Sequence, residues 1–284
     1  MKPLHQLTYL SLLFLNKLIC SLSKRRRYKL SIYISKLFFN LIPIRKNIAK
    51  KNIQKAFPEW TENKINLVLK NSYNFFCYNL IQFIGFPKTL EQVKFIVKGK
   101  NIIDRYLQNG NGIIMVTGHY GAWEILGKWL GEYAKLFTGI AFKQKNLGAH
   151  HFFIEQREYF GTKHIFTREP LEKMYNVLKK NGILGIVSDQ DAGKKGIFVD
   201  FFKTPASTAK GAALFHINRG SPIVVAVCMR TGFDRYRIEF IPIENNGKNI
   251  QSITQSYTKI LEEYIKIYPE QYFWFHRRWK TNLK

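Results

Sequence analysis

Acidic residues are scarce in this chain: 19 Asp and Glu stand against 45 Lys and Arg, a formal net charge of +26. A field of that sign attracts polyanions, whether nucleic acid, an anionic lipid surface, a phosphorylated glycolipid or an acidic carrier protein. Cysteine is nearly absent. Cys20, Cys77 and Cys228 are far apart and odd in number, which excludes a disulfide framework and a Cys-rich metal site and fits a reducing compartment. There is no Walker loop, no G-x-G-x-x-G, no H-E-x-x-H, no G-x-S-x-G and no Cys/His metal spacing. Phosphate-loop, dinucleotide, zinc-protease and serine-hydrolase chemistry therefore have no footing, and no metal or cofactor is expected. Long hydrophobic runs are missing too. Leu4 to Cys20 is interrupted by His5, Gln6, Asn16 and Lys17 and is short of the roughly 20 residues a span requires. No small-residue cleavage site follows it, so a secretory signal is not expected.

What is present is apolar: 46% hydrophobic and 15% aromatic residues in 284, enough for a sizeable core and too much for a disordered basic tail. Three regions follow from the patterning. Residues 1–22 read as a membrane anchor or interfacial helix, with Lys24-Arg25-Arg26-Arg27 on its cytoplasmic flank by the positive-inside rule. Residues 23–92 read as a helical cover broken at Pro43 and Pro58, with Thr61 as an N-cap. Residues 93–284 alternate strands and helices, the signature of an α/β domain. Strands are expected at Lys94–Val97, Ile113–Thr117, Thr138–Phe142, Lys163–Phe166, Ile183–Ser188, Ile223–Cys228 and Tyr236–Pro242. Helices are expected at Asn101–Asn109, Trp123–Ala134, Asn146–Phe160, Leu171–Lys180, Ser207–Arg219 and Ile250–Tyr268. Open α/β sheets bind ligands beyond the carboxyl ends of their strands. That rule gathers His119, Lys143 to Asn146, Arg168 and Asp189 on one crevice.

The chemistry concentrates in I-I-M-V-T-G-H-Y-G-A-W-E, residues 113–124: a buried strand, a glycine-punctuated turn and a helix start. In one continuous helix His119 and Glu124 would be about 140° apart. They meet only if His119 sits in the turn and Glu124 in the first helical turn, where the macrodipole favours it. Glu124 would then hold one imidazole nitrogen and leave the other to take a proton. A loop histidine beside an ordinary N-terminal glutamate is the bland alternative. Asp189 and Asp191 crowd a later strand end, and either catalysis or fixing the loop through Arg157 or a lysine would account for them. Phe198, Phe201 and Phe202 in G-I-F-V-D-F-F-K-T-P-A-S-T would line an acyl groove or form satellite core, with Ser207 or Thr208 capping the next helix. The run Tyr272–Lys280, Y-F-W-F-H-R-R-W-K, suits a lipid headgroup interface or stacking on single-stranded nucleic acid.

In that order, H-x-x-x-x-E, D-Q-D-A-G, F-V-D-F-F-x-T-P-A-S-T and W-F-H-R-R-W-K resemble the bacterial lipid A biosynthesis (late lauroyl/myristoyl) acyltransferase family, within the lysophospholipid/glycerolipid acyltransferase superfamily. Arg45-Lys46-Asn47 with Asn52 to Pro58, Lys143-Gln144-Lys145-Asn146 and Arg157 with Gly161 extend the likeness over nearly the whole chain. Lys143-Gln144 stands where the family pattern has Arg-Pro, and Glu124 where some members have Asp. The resemblance implies a mostly parallel central sheet flanked by helices and a membrane-associating N-terminus. It implies acyl transfer from an acyl thioester, on acyl carrier protein or coenzyme A, to a hydroxyl of a lipid A precursor at the cytoplasmic face of the bacterial inner membrane. His119 would be the base oriented by Glu124. The oxyanion donors would be backbone N–H groups of Tyr120–Ala122 or Arg157, and Lys143, Asn146, Arg168, His276, Arg277 and Arg278 would face the acceptor headgroup. Acylation of another glycolipid or aminolipid, or nucleic-acid binding by the C-terminal cluster, are the competing functions.

Overall fold

The computed structural model describes residues 2–243 and 249–282. Its centre is a seven-stranded sheet in the order β1-β9-β8-β2-β5-β3-β4. The strands are β1 (Lys94–Lys98), β2 (Ile113–Thr117), β3 (Phe137–Ala141), β4 (Lys163–Phe166), β5 (Ile183–Val187), β8 (Ile223–Gly232) and β9 (Arg235–Pro242). Strands β8, β2, β5, β3 and β4 run parallel, while β9 turns back on β8 and β1 follows β9. The two strands of the separate hairpin are β6 (Ile197–Phe201) and β7 (Thr204–Thr208).

Strand β2 lies near the middle because both its faces are apolar, as parallel strands covered on both sides require. Ile113 and Met115 point into one cluster, with Ala226 and Cys228, beneath α5 (Lys100–Gln108) and α6 (Trp123–Tyr133). Ile114 and Val116 point into the other, with Leu184, Val225 and Leu261, beneath α8 (Leu171–Lys179), α9 (Gly211–Arg219) and α10 (Ile250–Ile267). Each such fully buried aliphatic side chain contributes about 1.5–3 kcal/mol.

The helical cover joins the same clusters. Along α4 (Glu62–Ile84), Leu69 and Tyr73 belong to one and Phe83 to the other. Thr61 caps α4, accepting from the Lys64 amide. Helix α3 (Lys46–Ala56) clamps the C-terminal strap. Buried Asn52 donates at 2.6 Å to the carbonyls of both Trp274 and His276, and the Arg45 guanidinium donates to that of Phe275.

The polar interruptions of the N-terminal segment are docking contacts. Helix α1 (Pro3–Ser21) lies on α7 (Leu147–Glu158) and the end of α4. Asn16 donates to the Ile84 and Phe86 carbonyls, Tyr9 bonds Glu155, and Thr8 accepts from Asn146. The opposite face exposes Leu4, Leu7, Leu10, Phe14, Leu15 and Leu18. Among the described residues no helix is long and apolar enough to cross a membrane. Helix α2 (Lys24–Asn40) follows, capped by Ser23.

The stretch 196–208 differs from expectation. It forms the β6–β7 hairpin, and the next helix begins at Gly211, so neither Ser207 nor Thr208 is an N-cap. Phe202 and Lys203 both have positive φ, 52° and 56°, the geometry of a two-residue hairpin turn. That turn is normally signalled by Asn or Gly, and neither is present here.

Asn52→Ala leaves two strap carbonyls without donors. Urea unfolding is expected to show a loss of about 2 kcal/mol, whereas exposed Lys51→Ala changes stability by less than ~0.5 kcal/mol. Equal midpoints for the two variants would remove Asn52 from the clamp.

Candidate active site

The turn after β2 is built by glycines. Gly121 has φ +64°, and a Cβ there would lie 2.1 Å from the Cys228 carbonyl oxygen. At Gly118 a Cβ would crowd Leu261 and approach the Asp189 Cβ to 3.3 Å, so its absence lets the end of β5 close against the turn. The turn is then fastened by neighbours. Gly121 N–H donates to Gln271 O at 2.8 Å, Ala122 N–H to Cys228 O at 2.7 Å, and Phe273 N–H to His119 O at 2.9 Å. Two of the backbone donors expected for an oxyanion are thereby used within the fold.

His119 is half-buried at the strand end, and its Nδ1 lies 2.8 Å from Asp189 Oδ1. A carboxylate only accepts, so Nδ1 carries the proton and Nε2 presents its lone pair. The Gln190 amide nitrogen is 3.4 Å from that Nε2. Rings of Trp123 and Phe273 flank the imidazole at 5.3 and 6.1 Å. The carboxylate on His119 is therefore that of Asp189 and not that of Glu124, which corrects the dyad read from the spacing. The physical reason is competition. Both Glu124 oxygens are engaged by Arg157, from Nε at 2.8 Å and Nη2 at 2.7 Å, and Oε1 also accepts from the Trp123 indole.

The charges follow from these partners. Burial opposes an imidazolium at position 119, but the Asp189 carboxylate, with a smaller push from Glu124, outweighs it and raises the His119 pKa. Burial likewise opposes the Glu124 carboxylate, and the Arg157 guanidinium prevails, lowering its pKa. Asp189, buried, is held below its ordinary value against burial by His119, with a further contribution from Arg278. A weakly solvated base with a fixed proton on one nitrogen is suited to removing a proton from a hydroxyl.

Beside this base opens a cleft of about 310 Å³, lined by Phe76, Leu80, Phe83, Trp123, Phe153 and Phe273, with Glu124 and Arg157 as its charged pair. Trp123 and Phe273 belong to both the cleft and the surroundings of His119. This apolar space lies between α4, α6 and α7, and not at Phe198, Phe201 and Phe202, where a groove was expected. Phe201 and Phe202 are buried core of the hairpin, packed on Tyr272 and Phe57, and Phe198 lies on the same hairpin.

Several other expected binding residues are structural. Asp191 fixes the C-terminus, accepting from the Thr281 backbone and hydroxyl, rather than pairing with Arg157 or a lysine. Arg278 is 2% exposed and donates to the Ser207 carbonyl and the Thr208 hydroxyl, so it cannot meet a headgroup. Asn146 caps α7 through the Gly148 and Ala149 amides and gives its own NH₂ to Thr8, leaving little to offer a ligand. Lys143 and Arg168 are exposed at the ends of β3 and β4. Those strands lie two and three places from β2, about 10 and 15 Å at ordinary strand spacing. Arg277 is exposed and His276 partly so, with its Nδ1 unpartnered and its pKa lowered by burial, partly offset by Asp189. Tyr272, Trp274 and Phe275 are buried, which removes the platform that base stacking would need. The reading by residue pattern missed Gln190, Phe273 and Asn52. Only Gln190 carried a signal, its place between the two acids of D-Q-D.

His119 ring protons followed by NMR are expected to titrate above the ordinary 6.5. Asp189→Asn lowers that value, and Glu124→Gln lowers it less. The opposite ranking would return the orienting role to Glu124.

The model of the family described as bacterial lipid A biosynthesis acyltransferase matches residues 2–281. A phosphatidylinositol mannoside acyltransferase of Mycobacterium tuberculosis is 23% identical over 204 residues, 70% of this chain and 65% of that protein. The chain thus spans a little under two thirds of that relative. A lipid A biosynthesis palmitoleoyltransferase of Escherichia coli is 24% identical, covering 84% of this chain and 79% of its own length. The lipid A biosynthesis lauroyltransferase of the same organism is 24% identical, covering 89% and 85%. With residues 2–281 matched by one family model and its strand-end histidine beside an apolar cleft, the chain belongs to the bacterial lipid A biosynthesis acyltransferase family.

Proposed function

We propose that the protein is an O-acyltransferase that moves a fatty acyl chain from an acyl thioester to a hydroxyl of a lipid A precursor. The observation that carries this reading is His119, with Nδ1 held by Asp189 and Nε2 met by the Gln190 amide, beside an apolar cleft. The relatives named for lipid A acylation support the acceptor class. The net charge of +26 supports an acidic carrier, acyl carrier protein, as donor rather than coenzyme A.

In this mechanism Nε2 of His119 takes the hydroxyl proton as that oxygen attacks the thioester carbonyl carbon. The new C–O bond forms, the C–S bond breaks, and the imidazolium returns its proton to the departing thiolate. Asp189 keeps the tautomer and stabilises the imidazolium. The acyl chain occupies the aromatic cleft. Arg157, held in that cleft by Glu124, has Nη1 outside the ion pair and is the donor to the developing oxyanion, with the Gln190 amide as a second.

The exposed leucines of α1 and the basic run Lys24–Arg27 support seating at the inner-membrane surface, cytoplasmic face, with α1 lying in the interface. Similarity to phosphatidylinositol mannoside acyltransferases supports a glycosylated phosphatidylinositol as a second acceptor class.

The decisive assay supplies acyl carrier proteins of several chain lengths with each acceptor and reads products by mass spectrometry. His119→Ala is expected to lower kcat by about 10²-fold or more, and near-normal turnover would end this mechanism. Arg157→Lys loses the fork and is expected to cost about 10²-fold in kcat, with KM changed less. The kcat/KM profile should fall on the acid side through the raised pKa of His119, because the neutral imidazole is the active form. Asp189→Asn moves that limb to lower pH while reducing the plateau. Phe83→Leu or Phe153→Leu lengthens the cleft and should raise the relative kcat/KM for longer chains by ~10-fold. An unchanged chain preference would place the acyl chain elsewhere.

A further inference from the structure

Helix α7 brings Arg157 and Phe153 to the acyl cleft, yet its own side chains anchor it poorly. Its buried residues are Gly148 and Phe152. Phe152 packs with Ile19 of α1 and with Ile81 and Ile84 of α4, outside the two clusters that flank the sheet. Partly buried Phe153 is the residue of α7 that reaches the cluster beneath α5 and α6. Much of what fixes α7 is therefore α1.

The two helices cross at Gly148. A Cβ there would overlap the His5 carbonyl and crowd the Tyr9 amide nitrogen, so the backbones meet with no side chain between them. Polar contacts stand on either side of the crossing. Asn146, the N-cap of α7, donates to the Thr8 hydroxyl at 3.0 Å, and the Tyr9 hydroxyl donates to the Glu155 carboxylate at 2.8 Å. Glu155 is two positions before Arg157. Exposed hydrogen bonds of this kind add little stability, but two of them at opposite ends of a helix fix its register.

We infer that α1 is a latch on α7, and that the Gly148 crossing, Thr8 and Tyr9 act on the reaction by positioning Arg157. Glu124 holds the head of that guanidinium. The fork closes only if α7 stands where Nε and Nη2 both reach the carboxylate, at 2.8 and 2.7 Å. Displacing α1 frees the α7 end of this fork and leaves the α6 end as it was. The outward face of α1 is its leucine stripe, so a surface that seats the stripe also bears on the cleft through α7.

The part Arg157 plays in turnover rests on the acyl-transfer reading, but where Arg157 stands does not, so the test has two readouts. The first is hydrogen exchange of the Arg157 Nε–H in the full-length protein, followed by NMR and assigned by the loss of its signal in Arg157→Lys. Gly148→Ala is expected to speed that exchange by about 10-fold or more, because the ion pair opens more often. Gly127→Ala, where an added Cβ meets nothing within 4 Å, leaves it unchanged. The second readout is kinetic. Gly148→Ala is expected to lower kcat by about 10-fold with KM changed less, and to cost nothing further when Arg157 is already lysine. Should Gly148→Ala fail to fold, the double variant Thr8→Val/Tyr9→Phe carries the same two measurements with a smaller expected change. Unaltered exchange at Arg157 would overturn the latch whether or not acyl transfer is detected. An equal loss of kcat in the wild-type and Arg157→Lys backgrounds would also overturn it, since α1 would then act on something other than Arg157. Absence of turnover in the wild-type protein would sink the acyl-transfer reading alone and leave the exchange rates to decide the latch.

Discussion

A buried carboxylate beside a strand-end histidine is the constraint around which this molecule is arranged. Asp189 is buried and charged, an arrangement that is costly unless the charge is answered at close range. The answer comes from His119 at 2.8 Å, with Arg278 contributing from behind. Parallel pairing of β2 with β5 brings the two strand ends side by side, in register from Ile113 with Ile183 to Thr117 with Val187. The missing Cβ at Gly118 allows the final approach. Arg278 reaches its place only because the C-terminal strap crosses the sheet and is held there by Asn52 and Arg45 of the N-terminal half. The helical cover therefore bears on the electrostatics of the base.

Two acid–base pairs flank the start of α6, His119 in the turn before it and Glu124 in its first turn, and their physics differs. His119 with Asp189 is a pair whose imidazole carries a raised pKa, the kind of perturbed group that acid–base chemistry uses. Glu124 with Arg157 is a fixed fork, two parallel hydrogen bonds that place a guanidinium inside a mostly apolar cleft. Without Glu124 that cation would be both mobile and uncompensated among Phe83, Phe153 and Phe273. The Glu124 carboxylate thus acts on the site by holding a cation in place.

Helix α1 shows what composition leaves open when contacts are not known. Asn16 interrupts the apolar run, and its amide is spent on the open carbonyls at the end of α4. What remains exposed is a stripe of leucine and phenylalanine beside the cationic start of α2. The helix belongs to the protein on one side and offers an apolar surface on the other.

The sequence by itself determined the alternating elements, because apolar periods of two and 3.6 residues are local, and it determined the strand–turn–helix that presents His119. Four motifs in fixed order sufficed to indicate the family. It placed Asp189 on the same crevice as His119, since both end parallel strands, but it could not choose between Asp189 and Glu124 as the histidine's partner. That choice depended on where Arg157, thirty-three positions beyond Glu124, would come to rest. Likewise the Phe202-Lys203 turn carried no glycine or asparagine to announce it, and the burial of Arg278 and Trp274 depended on a strap crossing from the far end of the chain. Local periodicity is written in neighbouring residues. Which charge meets which is a competition among distant groups, decided only when the tertiary structure sets their distances.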